Sequence, residues 1–308
     1  MRRALITGVT GQDGAYLAQY LNSQGYEVFG AYRRSAQPNK WRLEYLDTDV
    51  HFVPFELLEY ENVKRTIDKI KPHEIYNLGA QSFVKESFDQ PLYTVDVNGL
   101  GVLRILEAIR GTDIRLYQAS TSEMFGNSAP PQSEDTRFVP RSPYGCAKLL
   151  AHSLCVNYRE SYGVNVSCGI LFNHESPLRG DEFVTQKIAK GIWGEELRLG
   201  NLDAKRDWGH AKDYVRAMHM MLQAEPDDFV VATGQEHTVR DFVEGAERCV
   251  IGDGLPPAKV VIDPQFYRPS EVDYLKGDPT KIREKLGWEP KVKFWELVYE
   301  MTREGRNA

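Results

Sequence analysis

The chain has 308 residues, with 38 basic and 44 acidic side chains giving a formal net charge of −6, and 42% of its residues are hydrophobic. This length suits one large domain or two closely packed ones, and the apolar share excludes global disorder. The mild acidity argues against a protein that binds nucleic acid through a uniformly basic surface.

The sequence also argues against a membrane or disulfide-rich protein. No apolar run approaches the ~18 residues that a membrane span needs, and residues 4–6 are too short for the core of a signal peptide. The four cysteines show no paired spacing, so we expect neither a disulfide framework nor a metal site. A cytoplasmic protein with no membrane or nucleic-acid partner is the expectation.

Short apolar runs alternate with amphipathic stretches along the first 171 residues. We predict strands at residues 4–6, 27–32, 50–55, 74–78, 114–119 and 164–171. Predicted helices cover residues 15–22, 60–70, 93–110 and 143–162. Strands alternating with helices of this length indicate βαβ units, and hence an α/β fold with a Rossmann-type doubly wound parallel sheet.

After residue 171 the sequence becomes richer in Pro, Gly and charged residues. A helix at 210–223 and a strand at 229–232 could return to the main sheet. We therefore predict a Rossmann domain at residues 1–172 with a return segment at about 209–232. Residues 173–208 and 233–308 would form a smaller α/β substrate-binding domain over the crevice beyond the strand ends.

A glycine-rich turn follows the first strand, with Gly8, Gly11 and Gly14 at three-residue spacing. Small residues let the backbone approach a pyrophosphate, and the following helix offers free N–H groups. The spacing resembles that of extended short-chain dehydrogenase/reductases, although an ordinary strand–helix turn is the alternative. Arg33 and Arg34 stand where an acidic residue would bind NAD, so we predict NADP rather than a merely solvated basic loop.

Four residues form a candidate catalytic group. Tyr144 and Lys148 stand four apart at the start of a predicted helix, so their side chains share a face. Thr121 and Glu123 follow the fifth strand, and they share a side if extended geometry persists to that point. A Ser/Thr/Glu cluster that merely caps a helix is the alternative interpretation.

These residues suit hydride transfer followed by elimination. Tyr144 would accept a hydroxyl proton, with Lys148 stabilising the phenolate and Thr121 orienting the same hydroxyl. The hydride-transfer step does not require Glu123. A carboxylate beside a new ketone can remove the acidic α-proton and protonate a leaving β-hydroxyl, which makes a dehydratase.

At this point the sequence resembles the GDP-mannose 4,6-dehydratases over nearly its whole length. The runs Asn173-His174-Glu175-Ser176-Pro177 and Arg206-Asp207-Trp208-Gly209 are more specific than the glycine turn. Thr121-Ser122-Glu123 distinguishes the sequence from dTDP-glucose dehydratases, which carry Thr-Asp-Glu. The other supporting runs lie at residues 8–17, 119–126, 141–148, 169–172 and 268–273.

The resemblance implies oxidation of GDP-mannose at C4 by bound NADP, loss of water across C5–C6 and reduction at C6. It implies a homotetramer or homodimer, with residues 33–42 reaching a neighbouring cofactor site, and a product leading to GDP-fucose or GDP-rhamnose. The catalytic residues would be Thr121, Glu123, Tyr144 and Lys148. Cofactor contacts would come from Gly8, Thr10, Gly11, Gln12, Asp13, Gly14, Arg33, Arg34, Glu56, Leu57, Leu78, Ala80, Ser82, Tyr93, Lys148, His174 and Arg179. Substrate contacts would come from Ser82, Asn173, Val184, Lys187, Gly200, Arg206, Arg268 and Glu271.

Two departures from the family pattern affect these expectations. Glu56 replaces a family aspartate, which leaves its adenine contact open, and Gln186 replaces an arginine that precedes the substrate lysine. Two other functions stay open: a different NADP-dependent nucleotide-sugar reductase or epimerase, and an NADP-binding regulator without turnover. Glu123 counts against the former, and the intact proton-transfer residues count against the latter.

Overall fold

The computed structural model describes residues 1–34, 39–267, 270 and 272–306 of the chain. The strands of these residues are β1 (Arg3–Thr7), β2 (Glu27–Tyr32), β3 (His51–Pro54), β4 (Glu74–Asn77), β5 (Arg115–Thr121), β6 (Val166–Leu171), β7 (Asn173–Glu175), β8 (Glu196–Leu199), β9 (Lys205–Arg206), β10 (Trp208–His210), β11 (Asp228–Val231), β12 (His237–Thr238) and β13 (Lys259–Ile262). The helices are α1 (Gln12–Ser23), α2 (Trp41–Tyr45), α3 (Tyr60–Ile70), α4 (Glu86–Asp89), α5 (Pro91–Val95), α6 (Gly101–Ile109), α7 (Pro143–Tyr162), α8 (Val184–Gly191), α9 (Ala211–Leu222), α10 (Val239–Gly252), α11 (Thr280–Leu286) and α12 (Phe294–Gly305).

The main sheet confirms the predicted doubly wound fold. Within the described residues its seven strands run in the order β11-β6-β5-β4-β1-β2-β3, and every neighbouring pair is parallel. The chain winds outward from β1 to β3 and then crosses to β4 on the other side of β1. That reversal opens a crevice at the carboxyl ends of β1 and β4, where such folds bind ligands. Among the described residues, no helix combines the length and the apolar character that crossing a membrane requires.

Helices cover both faces of this sheet. On one face α1 and α9 pack through Leu17, Leu21, Met218 and Met221, all of them fully buried. On the other, α3, α6 and α7 contribute a second apolar cluster that includes Ile105. Burying each such side chain stabilises the fold by roughly 1.5–3 kcal/mol, so the sheet edge that carries the crevice is held rigidly.

A separate apolar cluster organises the smaller part of the molecule. Trp208 packs edge-on against Phe242 of α10 and stacks on Phe294 of α12. Helix α8 and the paired strands β8 and β13 complete this cluster. Strand β11 returns to the main sheet beside β6, as the sequence predicts.

The prediction of one regular helix over residues 93–110 is wrong. The structure has α5, a π-helical turn at Asp96–Leu100 and then α6. A Cβ at Gly99 would lie 2.8 Å from Leu150 Cδ2 and 3.5 Å from the Ala147 carbonyl oxygen of α7. The backbone of this turn therefore approaches α7 closely, and apolar periodicity alone does not reveal a close approach of this kind.

Candidate active site

The glycine turn brings three backbone segments into contact. Gly8 has φ +68°, and a Cβ there would lie 2.9 Å from the backbone nitrogen of Gly79. A Cβ at Gly14 would lie 2.4 Å from the carbonyl oxygen of Gly8. Gly11 is the N-cap of α1 and supplies no capping side chain. The first N–H groups of α1 are thus accessible to an anion, and the close packing around them requires glycine.

A cavity of about 590 Å³ adjoins this turn beyond β2 and β4. Arg33 reaches across its mouth, where Nη1 donates to the Tyr93 hydroxyl at 2.6 Å, and Arg34 is exposed. The Glu56 carboxylate accepts from the backbone nitrogen of Leu58 at 3.3 Å. The cavity is of a size for a nucleotide. The predicted cofactor residues that line it are Gly8, Thr10, Arg33, Glu56, Leu57, Ala80 and Tyr93.

Other predicted cofactor residues contact one another. His174 Nε2 lies 2.8 Å from Asp13 Oδ2, and its Nδ1 lies 2.7 Å from the Phe172 carbonyl oxygen. Gln12 bonds to the His174 carbonyl oxygen at 3.1 Å and accepts from Ser176 at 2.7 Å. Because both ring nitrogens of His174 face acceptors, these contacts favour the imidazolium form of the ring. These contacts tie the start of α1 to β7.

The ionisation of this pair follows from its contacts. Burial alone lowers the pKa of His174, but the Asp13 carboxylate outweighs burial and the pKa is raised. Burial alone raises the pKa of Asp13, and His174 reverses that effect so that the pKa is lowered. Each partner therefore favours the charged form of the other.

The four predicted catalytic residues converge between β5 and α7. Strand β5 ends at Thr121, and a 3₁₀ turn at Ser122–Met124 follows. Extended geometry therefore does not persist to Glu123, so strand alternation is the wrong reason for its placement. The turn still brings its charge near Tyr144, whose pKa it raises. Ser142 caps α7 by accepting from the Gly145 nitrogen at 3.0 Å, which fixes Tyr144 in the first turn.

Burial sets the proton affinities of the Tyr144–Lys148 pair. It raises the pKa of Tyr144 to about 12, although a hydrogen bond with Thr121 opposes this. It lowers the pKa of Lys148 to about 8. The ammonium donates to the Ala119 carbonyl oxygen at 3.0 Å and lies 5.9 Å from the centroid of the Tyr144 ring. As pH rises Lys148 loses its proton first, so a tyrosinate requires further positive charge beside the ring.

A second cavity gathers most of the predicted substrate residues, namely Asn173, Val184, Lys187, Gly200 and Arg206. Arg268 and Glu271 lie outside the described residues. Arg206 Nη1 donates to the Lys205 carbonyl oxygen at 2.8 Å.

The neighbouring Asp207 is fully buried. Its carboxylate accepts from Thr233 N and Gly234 N, each at 2.8 Å, and from Gly277 N at 3.3 Å. Asp207 thereby connects two loops, at Thr233–Gly234 and at Gly277, to the segment between β9 and β10 beside the second cavity.

The remaining predicted contacts lie around or between these cavities. Leu78 packs against the core beneath the sheet edge. Arg179 forms an ion pair with Glu175 at 3.0 Å. Gln186, Arg179 and Ser82 line a third cavity with Thr10 and Gly11. Within the described residues the Gln186 Oε1 atom is buried without a hydrogen-bond partner.

The sequence did not identify several residues of the second cavity. Phe83, Lys85, Arg198 and Phe266 line it beside Lys187. Lys85 follows the predicted cofactor residue Ser82 closely along the chain, which is the one signal that could have identified it. Phe266 lies in a separate loop, and no motif marks it.

His152, Cys168 and Asp228 are the group of described residues whose ligand atoms lie close enough to hold a metal ion. However, Arg159 donates to both carboxylate oxygens of Asp228, at 3.0 and 2.8 Å. A guanidinium in that position repels a cation and occupies the oxygens that would bind it. We interpret this group as a structural ion pair.

A sequence model described as GDP-mannose 4,6 dehydratase matches residues 5–301. The GDP-mannose 4,6 dehydratase of Homo sapiens is 49% identical over 97% of this chain and 90% of its own. GDP-mannose 4,6 dehydratase 1 of Arabidopsis thaliana is 50% identical over 98% and 89%. The solved UDP-glucose 4-epimerase of Thermus thermophilus, in complex with NAD, has a TM-score of 0.86 at 24% identity, covering 99% of both chains, and shows the shared fold.

Proposed function

Because this chain belongs to the GDP-mannose 4,6-dehydratase family, we propose that it converts GDP-mannose to GDP-4-keto-6-deoxy-mannose. The observation that carries the proposal is the convergence of Glu123 with Tyr144, Thr121 and Lys148. A plain reductase or epimerase needs the last three groups and has no use for the carboxylate. The additional carboxylate therefore favours a dehydratase over those alternatives.

The first step is a proton abstraction by Tyr144 at the substrate's 4-hydroxyl. A bound nicotinamide cofactor would accept the hydride from C4 and later return it to C6. Thr121, hydrogen-bonded to Tyr144, orients the same hydroxyl. Lys148, whose Nζ lies 5.9 Å from the centroid of the Tyr144 ring, stabilises the tyrosinate that accepts this proton.

The second step is the elimination of water, which we assign to Glu123. Once C4 is a ketone, the C5 proton is acidic and the carboxylate removes it. The same carboxyl group then donates that proton to the 6-hydroxyl as it leaves, so atoms and charge balance over the step. When the hydride returns to C6, Tyr144 donates to C5 the proton that it took from the 4-hydroxyl, which regenerates the tyrosinate. Donor and acceptor are thus restored for the next turnover.

The cofactor is proposed to be NADP. The cavity beside the glycine turn fits a nucleotide, and Arg33 lies at its mouth with a hydrogen bond to Tyr93. A guanidinium suits a 2′-phosphate because it donates a charged, bidentate hydrogen bond. Arg34 stands beside it, exposed to solvent. Comparing the binding of NADP and NAD by calorimetry tests this assignment, and tighter binding of NAD would contradict it.

We also propose that the protein is a homo-oligomer in the cytoplasm. Leu92, Leu100, Leu150 and Tyr162 are exposed apolar residues on the α5–α7 side, which supports a homotetramer or homodimer. Light scattering would show its size. The free cysteines support a cytoplasmic location. The product would serve GDP-fucose or GDP-rhamnose formation.

The domain division also remains a proposal. The main sheet with α9 and β11 would hold the cofactor, and the part around α8, α10 and α12 would hold the nucleotide sugar. The predicted reach of residues 33–42 toward a neighbouring cofactor falls partly on residues 35–38, which lie outside the described residues.

Mass spectrometry of GDP-mannose incubated with the purified protein and NADP, without reductant, tests the reaction. We expect loss of one water from the sugar nucleotide, with no net consumption of cofactor. A panel of other nucleotide sugars serves as the control for specificity. Unchanged GDP-mannose would contradict the proposal, and a product of unchanged mass but altered configuration would indicate an epimerase.

A further inference from the structure

Lys85 lies in the segment between β4 and α4 and lines the second cavity. It immediately precedes α4. Its ammonium donates to the carbonyl oxygen of Gln265 at 2.9 Å. Gln265 lies in the 3₁₀ turn Pro264–Phe266, beyond β13. The Lys85 side chain therefore connects the start of α4 to the loop that borders the cavity.

A second ammonium meets it there. Lys187, in the first turns of α8, places Nζ 4.4 Å from the centroid of the Phe266 ring. Burial lowers the pKa of Lys187, and the positive charge of Lys85 lowers it further. Both side chains line the same cavity. Two like charges thus converge on one site from different parts of the fold.

The acidic side chains of this cavity compensate the charges of Lys85 and Lys187 only in part. Glu175 is buried, pairs with Arg179 at 3.0 Å and accepts from Thr185 at 2.7 Å. Glu182 affects Lys187 less than Lys85 does. Arg198 and Arg206 also line the cavity, and Arg198 pairs with Glu196 at 2.6 Å and with Asp263 at 3.4 Å. The cavity therefore favours a ligand that carries several negative charges in a small volume.

We propose that Lys85 acts with Lys187 to bind the diphosphate of the nucleotide-sugar substrate. This assignment of Lys85 rests on the proposed function. A diphosphate offers charged acceptor oxygens to both ammonium groups and relieves their mutual repulsion. Lys85 exchanges the neutral Gln265 carbonyl for a phosphate oxygen. Lys85 lines the same cavity as Asn173 and Arg206, which are predicted substrate residues. We therefore assign Lys85 to the diphosphate of the substrate and not to the pyrophosphate of the cofactor.

Calorimetric titration of the full chain with GDP, guanosine and NADP tests the assignment. We expect Lys85→Met to weaken GDP binding about 10-fold, because a charged contact that is partly exposed contributes only modestly to binding. Guanosine, which has no phosphate, and NADP should bind as they do to the parent. Lys187→Met should also weaken GDP binding. Lys69→Met, at an exposed position of α3, serves as the matched control and should bind all three ligands normally.

The pH dependence supplies a second readout. Removing Lys85 should raise the pKa of Lys187, so the GDP affinity of Lys85→Met should persist to higher pH than that of the parent. A variant with parental GDP affinity would overturn the assignment, as would equal weakening of guanosine or weakening of NADP alone. A parent chain that binds NADP but not GDP would overturn the proposed function itself.

Discussion

Lys148 shows most clearly how function opposes stability at a single residue. Its ammonium is buried beneath Tyr144, and burial lowers its pKa from 10.5 to about 8. The unfolded chain therefore binds a proton between these two values that the folded protein does not bind. Stability rises with pH across that window, and below about pH 8 the folded protein carries the full cost of burying the charge.

Lys148→Met should consequently stabilise the fold while abolishing turnover. Methionine keeps an unbranched side chain and removes the buried charge, and the hydrogen bond to Ala119 is lost. We expect about 1–3 kcal/mol of additional stability near pH 7 and little difference above about pH 10.5. Urea unfolding at both pH values measures this. Lower stability of the variant near pH 7 would contradict the assignment of Lys148 as a costly buried ammonium.

Tyr144 and Glu123 can be separated by the step that each substitution stops. Glu123→Gln should still oxidise C4, so the absorbance of reduced cofactor should accumulate on mixing with GDP-mannose while dehydration stalls. Stopped-flow absorbance and mass spectrometry follow the two steps. Normal dehydration by this variant would exclude Glu123 as the elimination base.

Tyr144→Phe should lose both steps, by about 10²-fold or more, because the hydroxyl that accepts the proton is gone. No reduced cofactor should accumulate, in contrast to Glu123→Gln. Turnover within a few-fold of the parent would remove the tyrosine from this role.

At the scale of elements, the site depends on how closely the turn after β5 approaches the start of α7. A Cβ at Gly145 would lie 2.9 Å from the Glu123 carbonyl oxygen and 3.0 Å from Pro140 Cβ. Both neighbours are held by backbone or ring, so they cannot rotate away. This contact sets the separation between Glu123 and Tyr144.

Gly145→Ala should separate these two groups. Displacements of about 1 Å at reacting groups cost up to about 10²-fold in rate, so we expect a roughly 10- to 100-fold fall in kcat. Gly252→Ala at the end of α10 is the matched control, because a Cβ there meets nothing within 4 Å. The control should keep full activity and lose no stability. Unchanged kcat in Gly145→Ala would show that the separation is not critical.

Most strands of the main sheet could be predicted from the sequence, because a buried parallel strand is a short apolar run bounded by turns. The sequence located β2 and α7 to the residue, since apolar periodicity and the Ser-Pro start of α7 are local signals. The π-helical turn before α6 depends on a neighbouring helix at Gly99, and the meeting of Lys85 with Gln265 depends on two distant loops. Local patterns carry no information about such contacts.

At the scale of the whole molecule, a few polar contacts connect the sheet to the smaller part. Asp13 and His174 join the start of α1 to β7, and Asp207 holds two loops beside Arg206. The net charge of −6 hides a local concentration of basic residues at the second cavity. Under the proposed function, these contacts connect the part of the fold that binds the cofactor to the part that binds the nucleotide sugar.

GDP-mannose carrying deuterium at C4 tests the central claim, an oxidation, elimination and reduction completed within one active site. The protein loaded with NADP and given no reductant should release a dehydrated product with the deuterium at C6, as read by mass spectrometry and NMR. A dehydrated product without the label, or recovery of intact GDP-mannose, would contradict the account.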